Sequence, residues 1–143
     1  MGKAEIAVDL FETCNCAQSV FAAYAADYDL DKAKALQVAL GFGAGMGRLQ
    51  KTCGAVTGAL MVLGLASGFK DGDGRSKIDD VYRKVRQLTD DFIAQKGTIK
   101  CRDLLGCDLL TEEGQKFFKE RNLRDNCRDY VRLCCELLDK YLA

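Results

Sequence analysis

Eight cysteines, at positions 14, 16, 53, 101, 107, 127, 134 and 135, stand in a chain of 143 residues that has no histidine. A thiolate can act as a nucleophile, as half of a dithiol/disulfide couple, or as a soft metal ligand. Without histidine, a metal site would rely on thiolates and carboxylates, and both a Cys–His dyad and a histidine-ligated haem are excluded. No CxxC occurs, so the thioredoxin-type pair and the usual zinc-knuckle spacing are missing. Sulfurs that converge must therefore come singly from distant elements.

Cys53 is the strongest single candidate. It follows Thr52 at the head of "KTCGAVTGALMVLGLASG", Lys51–Gly68, a stretch of small and apolar residues. At a helix start its sulfur would feel unsatisfied N–H groups and the positive end of the helix dipole, and both lower a thiol pKa. Cys14 and Cys134 fall within apolar stripes and read as core thiols. Cys16 lies off the stripe of its helix, beside Val20 and Ala23, which requires a second packing partner. Cys14 and Cys16 point about 200° apart if they share a helix, and Cys127 and Cys134 are about 10 Å apart along another, so any pairing joins different helices.

The elements that must hold these residues read as helical throughout. Ile6, Leu10, Cys14, Ala17, Phe21, Tyr24 and Tyr28 recur every three or four residues and predict one long helix over about 4–27. "DLDKAKALQVAL" predicts a second, led by Asp29 and Asp31 and stopped at Gly41. Thr52 is the expected N-cap of a third, running through Ala66, with Gly68 at its left-handed end. A fourth starts near Ser76 and carries Ile78, Val81, Val85, Leu88 and Phe92. Short helices follow at 99–105, between Thr98 and Gly106, and at 111–119. The last spans about 124–142, with Cys127, Val131, Cys134, Leu138 and Tyr141 on one stripe. No period-two run is long enough for a strand. The expected fold is all-α: one compact domain, 1–143, of six or seven helices around a central apolar helix.

Composition narrows the function. Lys and Arg number 21, as do Asp and Glu. With no basic excess, neither nucleic acid nor an anionic membrane surface is an expected partner. Charged residues are sparse before residue 70 and dense after it, which marks the first half as the buried centre. The apolar run 53–66 is shorter than the roughly 20 residues that cross a bilayer, so no membrane insertion is expected. The N-terminus shows no signal peptide, and the expected location is the cytoplasm, where cysteines are metal ligands, redox thiols or buried hydrophobes rather than structural disulfides. A chain of this size does not need cross-links to hold its core.

Two glycine-rich stretches read as turns. "GFGAGMG" at 41–47 lacks the preceding strand and the spacing of a dinucleotide fingerprint, and Met46 stands where the third glycine belongs. "DGDG" at 71–74 is followed by Arg75 and Ser76 instead of the ligand and glycine of a calcium loop. Gly54 and Gly58, one turn apart on the central helix, permit close helix contact.

Four separated stretches carry a family likeness: "NCAQSVFAAYA" at 15–25, "GFGAGMGRLQKTCGAVTGALMVLGL" at 41–65, "GTIKCRDLLG" at 97–106 and "NCRDYVRLCCELL" at 126–138. Together they resemble the C_GCAxxG_C_C family of small bacterial and archaeal redox-active proteins, with Cys53-Gly54-Ala55-Val56-Thr57-Gly58 as the CGAxxG element. The resemblance implies that the four family cysteines are Cys16, Cys53, Cys101 and Cys127. Cys14, Cys107, Cys134 and Cys135 lie outside the pattern. A similar cysteine-bearing domain in split-Soret cytochromes implies an iron–sulfur centre, but this chain has no CxxCH and no haem is expected. On this resemblance the four thiols serve as redox thiols or as ligands of a [2Fe–2S] cluster or zinc, with backbone N–H groups from Gly43, Gly45 and Gly47 brought toward the sulfurs. The expected function is electron transfer or dithiol/disulfide cycling with a redox partner protein, and a homodimer is compatible with it. The alternative is a non-catalytic helical binding or structural protein with a four-cysteine zinc site or merely buried cysteines.

Overall fold

The computed structural model describes all residues, 1–143. It is all-α, with eight helices: α1 (Lys3–Leu10), α2 (Cys16–Ala25), α3 (Lys32–Ala39), α4 (Gly54–Ala66), α5 (Arg75–Lys96), α6 (Cys101–Leu105), α7 (Glu112–Glu120) and α8 (Arg124–Leu142). Helix α8 has the limits its apolar stripe predicted. The single helix expected over 4–27 is instead two. The chain breaks after Leu10 and restarts at an Asn15 N-cap, whose side chain accepts from the Gln18 N–H while the Gln18 side chain accepts from the Asn15 N–H. This reciprocal pair satisfies two otherwise orphaned donors and fixes the start of α2. Asn15 also donates to the Leu40 carbonyl at 2.9 Å, tying the break to the end of α3.

Helix α4 is the centre of the domain, packed against α2, α5 and α8. Ala55, Val56, Ala59 and Val62 on it are fully buried, as are Val131, Cys134, Cys135 and Leu138 of α8. The small residues of "CGAVTG" permit close crossing of α4 and α2: a Cβ on Gly58 would lie 2.8 Å from the Ala17 carbonyl oxygen and 3.2 Å from the Val20 Cβ. Thr52 does not cap α4. Cys53 occupies the N-cap position and its side chain makes no capping bond.

Two local features bring the cysteine-bearing ends together. The first is a short antiparallel pairing in which the Cys53 N–H donates to the Ile99 carbonyl and the Cys101 N–H donates to the Lys51 carbonyl, both at 2.7 Å. The second is the turn between α3 and α4, where Ala44, Gly45, Met46, Gly47 and Arg48 all have φ between 54° and 71°. Five successive residues thus wind left-handed, at about 1–2 kcal/mol for each that is not glycine. The Lys51 N–H closes the turn onto the Gly45 carbonyl at 2.9 Å.

Candidate functional site

Each of four cysteines is placed by a different local device. Cys16 opens α2 directly after the Asn15 cap, Cys53 stands before the first residue of α4, Cys101 starts α6 from the paired segment, and Cys127 lies in the first turn of α8. All four line one cleft of 580 Å³. Cys53 and Cys101 are each only 6 % exposed, and Cys16 and Cys127 are half-buried.

Cys16 reaches the start of α4, next to Cys53. A Cβ on Gly54 would lie 2.4 Å from the Cys16 sulfur, so the absent side chain is what lets Cys16 reach the start of α4. The Ala55 N–H faces both sulfurs. The amides of Ala44 and Ala17 also face Cys16. Within the 43–47 turn Ala44 is the residue that faces Cys16. A Cβ on Gly43 would strike the Asn15 side chain at 2.4 Å, one on Gly45 would lie 2.8 Å from the Cys101 Cβ, and Gly47 has open space.

The helix start does not give Cys53 a low pKa. Burial, with the neighbouring Cys16 next, pushes its thiol well above the ordinary range, and the Ala55 and Val56 amides offset only part of this. Burial likewise pushes Cys101 up to about 11 and Cys127 up to about 12, with Cys16 the leading charged neighbour of both. Cys16 itself is raised by burial. Removing apolar surroundings from a thiol favours the anion, and adding them favours the neutral form. Here that effect exceeds the helix dipole.

The remaining cysteines are outside the cleft. Cys14 lies half-buried in the link between α1 and α2 and shares no helix with Cys16. Cys107 packs with Cys101, Leu105 and Leu109 in a small satellite core. Cys134 is fully buried behind Cys53, and Cys135 lies on the far side, its carbonyl accepting from the Tyr24 hydroxyl at 2.9 Å. In folded, reduced protein, iodoacetamide should label Cys14 first and Cys134 and Cys135 last, read by peptide mass spectrometry, because access controls the rate. Prompt labelling of Cys134 would contradict its burial.

Gln50 is a site residue that the sequence did not single out. It is buried, with φ of 56°, and its side chain spans the satellite core by donating to the Cys107 carbonyl and accepting from the Leu109 N–H, each at 2.8 Å. It also faces Cys101. No local pattern marks it, since both partners are more than fifty residues away in the chain.

Four thiols with no carboxylate among them are a donor set suited to a thiophilic metal or a cluster. As arranged, however, no three Cys, Asp or Glu side chains form a group that could hold a metal ion. Holding one would require the cysteine side chains to draw together. All eight cysteines are free thiols. A family model described as "Putative redox-active protein (C_GCAxxG_C_C)" matches residues 14–141. No curated protein and no solved structure matches the chain.

Proposed function

The chain belongs to the C_GCAxxG_C_C family, and from that premise we propose that it is a thiol redox protein whose working pair is Cys16 and Cys53. The observation that carries this reading is the approach of the Cys16 sulfur to the start of α4 beside Cys53, where a Cβ on Gly54 would lie 2.4 Å from it. Oxidation removes one proton and one electron from each thiol and joins the sulfurs in one S–S bond, with both electrons passing to an oxidised redox partner protein. Burial favours such a couple, because dithiol and disulfide are both neutral and neither end state places an anion in the apolar cleft. Cys101 and Cys127, in the same cleft, are available for exchange with the first pair. No helix is long and apolar enough to cross a membrane, and the proposed setting is the cytoplasm.

A second reading is favoured by the four-sulfur, carboxylate-free donor set: Cys16, Cys53, Cys101 and Cys127 as ligands of a [2Fe–2S] cluster or zinc. A cluster would supply one-electron transfer and zinc would supply stability.

One experiment separates the two. Metal-free protein equilibrated in glutathione buffers of graded potential, then blocked and digested, should yield a Cys16–Cys53 cross-linked peptide in a two-electron transition, absent from Cys16→Ser and Cys53→Ser. Stoichiometric iron or zinc in anaerobically prepared protein, reduced by serine at any of the four positions, supports the ligand reading instead. Neither cross-link nor metal would remove both and leave buried cysteines in a helical core.

A further inference from the structure

The mouth of the thiol cleft carries charge of one sign. Arg48, Lys119 and Arg124 line it, and no Asp or Glu does. None of these three joins any of the nine ion pairs of the chain. On a chain with equal numbers of acidic and basic residues, three cations left without carboxylate partners around one concavity are a local positive field in want of an anion. Arg124 is also held in place: its guanidinium lies 4.2 Å from the Phe11 ring centroid and donates to the Phe11 carbonyl. A guanidinium fixed in this way loses little freedom when it meets an anion.

Leu104, Leu109, Phe118 and Tyr130 give the same cleft an apolar lining beside the sulfurs. A volume of 580 Å³ falls within the range of about 300–1,000 Å³ that small-molecule sites occupy. A neutral apolar occupant would leave the rim cations unmatched. Three cations are also too few for a nucleic-acid backbone.

We propose that this cleft binds a small molecule with a flat apolar body and one anionic group, a carboxylate, sulfonate or phosphate, held between Arg48, Lys119 and Arg124. The body lies along the lining of Leu104 and Phe118, beside the thiols. This deepens the thiol redox reading and rests on it for the ligand's role, because the occupant would sit against the cysteines; binding itself does not require them to cycle.

Anilinonaphthalene sulfonate and phenylnaphthylamine, which share an aromatic body and differ by the sulfonate, test the claim by fluorescence titration of the reduced full-length protein. The sulfonate should bind once per chain and on the order of tenfold more tightly than the neutral probe. Lys119→Glu and Arg48→Gln, both at exposed positions, should each weaken sulfonate binding several-fold while leaving the neutral probe within about twofold. Cys16→Ser, which ends the proposed disulfide, should leave sulfonate binding intact, so loss of cycling and loss of binding are separate results. Equal affinity for the two probes, or sulfonate binding unchanged in both charge variants, overturns the proposal.

Discussion

Gly54→Ala is expected to give a folded protein that no longer forms the Cys16–Cys53 disulfide. The new methyl would lie 2.4 Å from the Cys16 sulfur, 2.9 Å from the Phe42 carbonyl oxygen and 3.3 Å from the Ala17 nitrogen. Two of these neighbours are backbone atoms, so the cysteine side chain is the part that must move. Overpacking of this kind costs about 1–3 kcal/mol, and alanine recovers up to about 1 kcal/mol of helix propensity. The net loss is small against the roughly 5–15 kcal/mol of a typical domain. Helical circular dichroism should therefore persist while the yield of cross-linked peptide at oxidising potential falls on the order of tenfold or more, since disulfide geometry tolerates little displacement. A normal yield would show that the close approach at Gly54 is ordinary packing.

A large loss of stability is expected from Gly45→Ala. Gly45 is buried with φ of 64°, and a Cβ there would meet the Gln50 Cα at 2.6 Å, the Lys51 nitrogen at 2.7 Å and the Cys101 Cβ at 2.8 Å. Backbone strain adds about 1–2 kcal/mol and overpacking about 1–3 kcal/mol, together roughly 2–5 kcal/mol. For a chain of this size that lowers Tm by roughly 5–15 °C. Gly47→Ala is the control: its φ is 60° but nothing lies within 4 Å of its Cβ, so it carries the strain without the collision. Calorimetry on the two variants should show Gly45→Ala melting well below Gly47→Ala. Equal melting temperatures would mean that Gly45 does not buttress Cys101 and the paired segment.

Helix α8 is legible in the sequence because its apolar positions repeat with helical period, and α4 because an unbroken run of small and apolar residues ends at Gly68. The break between α1 and α2 escapes a reading by periodicity although "NCAQ" announces it, because the apolar stripe runs in phase from Ile6 through Phe21 across the break. Here a local cap overrides periodicity. The dipole argument for Cys53 names a real interaction with the Ala55 and Val56 amides, but burial is the larger effect, and burial is a property of the whole packed domain. The four cleft cysteines are grouped in sequence by family likeness alone, and their common cleft depends on the pairing of residues 50–53 with 99–102, which no periodicity signals. The cationic rim is illegible for a similar reason. Arg48 and Lys119 are distant in sequence, and an unpaired cation can be recognised only once its neighbours are in place.

The left-handed turn at 44–48 bears on whether this site can be transplanted. Ala44, Met46 and Arg48 hold a conformation that an isolated L-peptide disfavours, so the wall between Cys16 and Cys101 owes its shape to what surrounds it. Gln50 and the partner segment at 99–102 clamp its far end, and Asn15 fills the space left at Gly43. The "GFGAGMGRLQKTCGAVTG" string is thus not a self-sufficient module like a zinc knuckle, whose ligands and loop travel together. Grafted onto another helix pair, it would relax to right-handed backbone and turn Ala44 away from the sulfur it faces here. The unit that inheritance must keep intact is the whole helical domain, with the cysteine spacing only its visible trace.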